Sequence, residues 1–538
     1  MSIRTSLAAV TIALVGLRCD APAQVSGIRV SVISSLQRLG PTGPIGDQMS
    51  INLYAAQNAY QSFQVVVQSP PGGLSNVALT ASDLAGANGN SIEHQNISLY
   101  REYYVQVDQP SPDRGGPNYS LGVGWYPDPL IPFNDPLTAE PLSGGLYQGQ
   151  PFNLAAGSNQ AIWIDIYVPP GTPADEYTGS IVVSSNQGNA TATLNLAVWS
   201  FALPSGPTLK SVFQYWTQTS SSAIEELLRN KIMPQSVADS AVSAPFLVQN
   251  FGLTMTTTGF WSGAAGNNCV MSPTPSVSQF LQAVSANPAG LYLANYTADE
   301  IDSCTNLYPS IQAWARNMHA AGINNLVVMN PVLQLLDDGS GMGKPAVDIW
   351  VVLPSGYLEG ASVMPLARAA GSQIWSYSTL SQDGYSPKWL IDFDPINLRL
   401  QAGFLSETFG LTGLLYWRVD GWNSDPWNLV NNEGVFGTNN YPGEGVLVYP
   451  GAPAGVNGVV PSMRLKQLRD GVQDYELVEM LKRLGRGDFA LQAIKAVAPD
   501  WANWTHDGNA LEAVRRQLGD EIHRLTGQVK AETPRRPH

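Results

Sequence analysis

Charge is what this chain has least of. Asp, Glu, Lys and Arg make up 13% of its 538 residues, about half the usual share of a soluble domain. That scarcity excludes a surface built mainly of long charged helices. The charge present leans acidic, to a formal net of -14, which disfavours nucleic acid and anionic lipid as partners, since both want a basic face; neither is expected. A neutral ligand fits better. The 5 histidines show no ligand-like spacing, so no metal site is expected. No Gly-rich phosphate loop follows a strand and Gly-x-Ser-x-Gly is absent, leaving nucleotide and esterase chemistry without an anchor. No cofactor is expected. Beyond the N-terminal segment no apolar run is long enough to span a bilayer, so membrane insertion is not expected.

Cysteine is nearly absent too, at 3 residues. The first of them lies in a targeting segment. Arg4 precedes the apolar run Leu7 to Leu17, and Ala21-Pro22-Ala23 offers a signal peptidase its small residues. Cleavage after Ala23 makes residues 1–23 a signal peptide and the protein secreted or periplasmic. A lipoprotein anchored through Cys19 is the weaker alternative, because bulky Arg18 precedes it. Loss of Arg4, Arg18 and Asp20 takes the net charge one unit further negative. It also leaves Cys269 and Cys304, an even pair that an oxidising compartment would join in a disulfide, with two buried thiols the other reading.

What the chain has in quantity is Gly (51), Pro (39), Tyr (21) and Trp (14), a composition of short strands and loops. Residues 24–205 read as an antiparallel β-sandwich. Ile51–Tyr54, Ser62–Val67, Ala161–Val168 and Thr191–Val198 have strand character and are separated by Gly, Pro, Asn and Ser clusters. Gly124–Pro129 is read as an aromatic loop in a Pro-rich insertion, touching sugar or packing on the next domain. After Leu203-Pro204 the pattern alternates strand and helix. Seven strands are expected, at 211–215, 253–256, 291–293, 326–329, 349–352, 374–377 and 414–417. Ile311, Trp314, Ala315 and Met318 recur with helical period between the third and fourth. The pattern predicts a (β/α)8 barrel over 206–430, its eighth strand in Thr274–Ala286 unless the barrel is irregular. Residues 431–530 complete the barrel and add a helical extension, whose mixed charge suggests solvated helices packed on the barrel. A loose tail is expected at 531–538. The chain is thus read as multidomain.

Barrel chemistry sits at the C-terminal ends of strands. Asp299 and Glu300 end the third strand, Asn330 the fourth, Tyr377 the sixth, and Trp417, Arg418 and Asp420 the seventh. Glycoside hydrolysis needs an acid for the leaving oxygen and a group on the oxocarbenium side. An adjacent pair suits a division in which Glu300 is the acid and Asp299 orients a nucleophile belonging to the substrate, such as a 2-acetamido group. A surface pair of turn carboxylates is the plain alternative. Trp375, Trp417, Trp422 and Trp427 are candidate sugar platforms, with Tyr296 or Tyr377 donating to the amide oxygen. Arg418 and Asp420 alternatively pair with each other.

Several segments resemble glycoside hydrolase family 123 and its relatives. They are Leu53–Gln57 with Ser62–Val67, Leu99–Tyr104 with Gly124–Pro129, the pair in Ala298-Asp299-Glu300, and the late run Gly443–Gly451 with Pro461–Gly471 and Asp474-Tyr475-Glu476. The late run is the most specific, and the likeness covers nearly the whole mature chain. The resemblance implies an exo-acting β-N-acetylgalactosaminidase with a retaining, substrate-assisted mechanism, Glu300 as general acid/base and Asp299 assisting the acetamido group. One departure is Ile301, where relatives often carry Pro, with Asp302 following as a weak competitor. Two alternatives stand: a glycosidase for a sugar without an acetamido group, with Asp420 the first candidate for its second carboxylate, and a non-catalytic carbohydrate-binding protein. The expected partner is a glycan; the sequence leaves the oligomeric state open.

Overall fold

The computed structural model describes residues 27–532 apart from 137, 143, 217–220, 239 and 432–438, with side chains described as far as residue 527. The signal-peptide segment lies outside the described residues, as do 533–538 of the expected tail. The tail's first two residues instead continue the helix Gly508–Glu532.

The N-terminal domain is two sheets face to face. One has the strand order Arg29–Ser34, Ala59–Gln68, Asn159–Val168, Ile97–Val107, Gly124–Pro132. The main path of the other runs Ser50–Gln57, Gly188–Ala202, Glu176–Ser185, Leu74–Ala81, Phe152–Leu154. Pairing is antiparallel except between Ser50–Gln57 and Gly188–Ala202. Alternation sends Phe63, Val65, Val67, Ile162 and Ile164 inward against Leu53, Ile181, Leu194 and Leu196. The opposite face of the first sheet is buried as well: Ser62, Gln64, Trp163 and Asp165 are all covered. Gly124–Pro132, expected as a loop, is the edge strand of that sheet. Its Asp128 is fully buried.

What covers that face is the helix Met463–Arg483, buried without a break from Met463 to Val478. The expectation of a solvated helix is corrected here. Its charges are mixed because they meet buried partners on the sandwich. Arg469 donates to both carboxylate oxygens of Asp165 at 2.7 and 2.9 Å, Lys466 lies 3.1 Å from the same group, and Arg464 grips Asp128 with two bonds of 2.9 Å.

The C-terminal domain is built on seven parallel strands: β1 (Lys210–Phe213), β2 (Met255–Thr257), β3 (Tyr292–Ala298), β4 (Asn324–Val328), β5 (Ile349–Val352), β6 (Gln373–Tyr377) and β7 (Gly413–Tyr416). They are ordered β1-β7-β6-β5-β4-β3-β2 and curl into a nearly closed barrel. Its interior is filled by Val212, Met255, Ala294, Tyr296, Leu326, Val328, Ile349, Val351, Trp375, Tyr377 and Leu415, one alternating face from every strand. Thr274–Ala286 holds no strand; Val277–Ser285 is a helix started by a capping box between Ser276 and Gln279. Residues 233–235 lie between the two edge strands instead. Phe213 N–H donates to Met233 O, Gln235 N–H to Phe213 O and Thr257 N–H to Gln235 O. The helix Tyr308–Ala321 buries Ile311, Trp314, Ala315 and Met318 and stops at Gly322, which takes φ 78°.

Candidate functional site

The geometry begins with a defect in β3. Its register against β4 slips between Tyr296 and Ala298, and a bulge of this kind re-aims the residues that follow. Glu300 then adopts φ 50°, a left-handed conformation that costs a non-glycine residue about 1 kcal/mol or more. Together these let two adjacent carboxylates reach the same barrel mouth. Tyr296 O–H donates to Asp299 Oδ1 at 2.7 Å, and Tyr377 O–H to Glu300 Oε1 at 2.7 Å. Both tyrosines belong to the barrel interior.

The strained turn is braced from two sides. Asp299 N–H donates to Ala264 O (3.1 Å), and its carbonyl accepts from Gly266 N–H (2.8 Å). A disulfide joins Cys269 to Cys304, tying this loop to the one after Glu300, where Ile301 and Cys304 are fully buried. Ile301 therefore anchors the turn through burial. Asp302 accepts the backbone N–H of Asn330 at 2.8 Å and so links the ends of β3 and β4. Asn330 itself packs its side-chain amide against the short helix at Gly356 and Gly360.

Burial pushes the Asp299 carboxyl above its ordinary value; the Tyr296 hydroxyl opposes this and the charge of Glu300 adds to it. Burial, and then the adjoining carboxylates, push both phenols well above theirs, so Tyr296 and Tyr377 remain proton donors. Among the described residues no ion pair involves Asp299 or Glu300. A carboxyl gripped by Arg or Lys is held ionised; burial acts on Asp299 in the opposite sense. In this structure both tyrosine hydroxyls donate to the two carboxylates.

Of the expected aromatic platforms, Trp417 is at the strand end and half-buried. Its Nε1–H donates to Glu444 Oε1, and its ring meets Trp216 edge-on at 5.4 Å. Trp375 does not reach the cleft. It is fully buried, with its ring over Gly413 at the start of β7, where a Cβ would come within 2.3 Å of the indole. Gly413 leaves the gap that this ring fills in the barrel floor. Trp427 is likewise core, its Nε1–H on Pro450 O. Trp422 is half-buried and donates to Val448 O at 2.7 Å. Asp420 is fully buried and accepts from Trp216 N–H at 3.2 Å and Arg418 Nε–H at 3.3 Å. It orders the Trp216 and Arg418 segments and is not exposed to a ligand.

Three residues escaped the sequence reading. Trp261 is 48% exposed and meets Tyr296 edge-on at 5.8 Å, beside Asp299. Trp216 is 59% exposed, with the Arg418 guanidinium 5.1 Å from its ring centre. Glu444 is buried at the rim. The Gly-Glu-Gly step at 443–445 was a usable signal for Glu444; for the tryptophans nothing in their neighbourhood was.

Comparison with known proteins follows the same division of the chain. Residues 42–185 match the glycoside hydrolase 123 N-terminal domain and residues 346–481 the glycoside hydrolase 123 catalytic domain. No curated protein sequence matches. Among solved structures, a family 123 glycoside hydrolase from Clostridium perfringens, described in connection with glycolipid glycan hydrolysis, is similar with a TM-score of 0.62 at 13% identity. The match covers 94% of this chain and 100% of that one. A β-glucuronidase from Parabacteroides merdae matches at a TM-score of 0.26 and 10% identity over 72% of this chain and 51% of that one, too weakly to bear on the fold. The chain belongs to glycoside hydrolase family 123 and is a glycoside hydrolase.

Proposed function

We propose that the protein is an exo-acting β-N-acetylgalactosaminidase working by substrate-assisted, retaining hydrolysis. The observation that carries this reading is the Asp299–Glu300 pair, each carboxylate held by one tyrosine hydroxyl and, among the described residues, neither by a cation. Glu300 protonates the glycosidic oxygen. The 2-acetamido oxygen of the substrate attacks C1, while Asp299 accepts the acetamido N–H and stabilises the charge that develops there. Water then opens the oxazolinium ring with Glu300 as base, giving retention. Trp417 supplies a ring to stack on the sugar, and Trp261 flanks Asp299. We read residues 233–235 as the shortened second strand of a (β/α)8 barrel, and the N-terminal segment as an export signal that delivers the enzyme to extracytoplasmic glycans. The version with Asp420 as a protein nucleophile is disfavoured by that residue's burial against Arg418.

The test is hydrolysis of aryl β-glycosides of N-acetylgalactosamine, N-acetylglucosamine and galactose by wild type, Glu300→Gln and Asp299→Asn. Selective cleavage of the N-acetylgalactosaminide, with kcat falling about 10²–10⁴-fold in Glu300→Gln, supports the reading. Turnover only of the galactoside would overturn the acetamido mechanism, and binding without turnover of any glycan would favour a lectin-like role.

A further inference from the structure

Glu444 is a buried carboxylate that the chemistry above leaves unused. It is 4% exposed, and among the described residues no ion pair includes it. Arg464 holds the carbonyls of Gly443 and Val446 on either side and reaches Glu444 through its charge alone, without a hydrogen bond. All five of its N–H donors go to Asp128 and to the carbonyls of Trp389, Gly443 and Val446. A buried carboxylate without a cation is costly. Here three hydrogen bonds offset the cost: Oε1 accepts from Trp417 Nε1–H and from Thr379 Oγ–H at 3.1 Å, and Oε2 from Leu380 N–H at 2.8 Å.

Those three donors follow the ends of two neighbouring strands, β6 and β7. Trp417 is the sugar platform at the end of β7. Thr379 and Leu380 follow β6 two and three residues after Tyr377, whose hydroxyl holds Glu300. Leu380 takes φ 55°, a left-handed turn that presents its N–H to the carboxylate. The segment carrying Glu444 is shaped to the same end. Gly443 and Gly445 have φ 77° and 72°, and a Cβ on Gly445 would stand 2.8 Å from the Trp417 ring. The indole is thus pinned by its N–H on Glu444 and by its ring edge on a bare backbone.

We propose that Glu444 is a positioning residue: its carboxylate sets the register between the Trp417 platform and the β6 turn that carries the Tyr377–Glu300 acid. The inference rests on the glycosidase reading of this site. Its work is geometric, since a platform displaced by an ångström misplaces the bound sugar against the acid. Gln at 444 keeps the shape but turns one acceptor oxygen into an N–H donor, which faces either the Leu380 N–H or the Trp417 and Thr379 donors.

The experiment pairs a structural and a kinetic readout. Protein labelled with 5-fluorotryptophan is compared by 19F NMR as wild type and Glu444→Gln, with the Trp417 resonance assigned through Trp417→Phe. The Trp417 signal shifts and broadens while buried Trp375 and Trp427 hold still. Kinetics use the aryl glycoside that wild type cleaves. Glu444→Gln raises KM about fivefold or more with a smaller change in kcat, Trp417→Phe does the same, and the double variant is no worse than either single one. An unmoved Trp417 resonance overturns the proposal, as do additive kinetic effects. The NMR arm needs no turnover, so a wild type that cleaves none of the glycosides would sink the glycosidase reading while leaving the clamp testable. Should Glu444→Gln fail to fold, Thr379→Val, which removes one of the three bonds, decides between the same outcomes.

Discussion

Replacing Asp128 by Asn tests whether the two domains are held together by buried charge. Asp128 and Arg464 both have fully buried side chains. They share two bonds of 2.9 Å, and Tyr449 O–H adds a third to the carboxylate at 2.6 Å. Asn keeps the shape but leaves the Arg464 cation without its counter-charge, and breaking a buried pair in this way costs about 3–5 kcal/mol. Arg464→Met should cost at least as much, because it also removes the Arg464 hydrogen bonds to the carbonyls of Trp389 and Val446, each worth about 1–3 kcal/mol when left unpaired. The two variants differ in function. Asp128→Asn leaves the 443–446 segment anchored and the folded enzyme active, whereas Arg464→Met releases the segment that carries Glu444 and raises KM. Guanidinium unfolding followed by tryptophan fluorescence, with glycosidase kinetics on the folded fraction, measures both. A loss under about 1 kcal/mol in Asp128→Asn would refute the reasoning, for it would mean the buried pair contributes no more than an exposed one.

Other outcomes follow from groups away from the site. His319 lies between two carboxylates, Nδ1 2.9 Å from Asp338 and Nε2 2.9 Å from Asp348; burial lowers its pKa, but the two partners more than reverse this and raise it. Its contribution is therefore full below about pH 6.5, the unfolded value, and lost as pH rises through the folded value. His319→Asn should destabilise at pH 6 and matter less at pH 9, as thermal melts across that range would show. Glu102 is fully buried with neither oxygen bonded, and burial pushes it up to about 8. The raised acid is neutral when folded and ionised when unfolded, so it destabilises increasingly from about pH 4 up to its folded value. Glu102→Gln should gain roughly 2–4 kcal/mol at pH 7 and nothing at pH 4; equal gains at both would discard the titration argument. Removing the Cys269–Cys304 bridge, which closes a separation of 35 residues, should cost about 3–4 kcal/mol and lower kcat by loosening the turn at Glu300. Comparison of Cys269→Ser/Cys304→Ser with wild type by denaturation and kinetics checks both parts.

Much of the architecture was legible in order along the chain. Period-two alternation marked the sandwich strands, short apolar runs marked seven barrel strands, and Ile311, Trp314, Ala315 and Met318 marked one helix, because each signal is local to its own element. The Asp299–Glu300 pair was legible as a candidate for a similar reason: it stands at a strand end. The bridging segment at 233–235 was not, since Met-Pro-Gln has no alternation and is ordered by hydrogen bonds to its neighbours. The helix Met463–Arg483 looked solvated because charge along a helix says nothing of whether Asp128 and Asp165 lie across from it. Tryptophans were the least legible of all. Trp375, Trp417 and Trp427 are one residue type in similar company, and only the packing leaves one half-buried at a strand end and two others in the core. Sequence alone determined most of the elements and the adjacency of the two carboxyl groups, which depend on near neighbours. The tertiary structure decided which rings and carboxylates face the cleft, because that depends on residues hundreds of positions away.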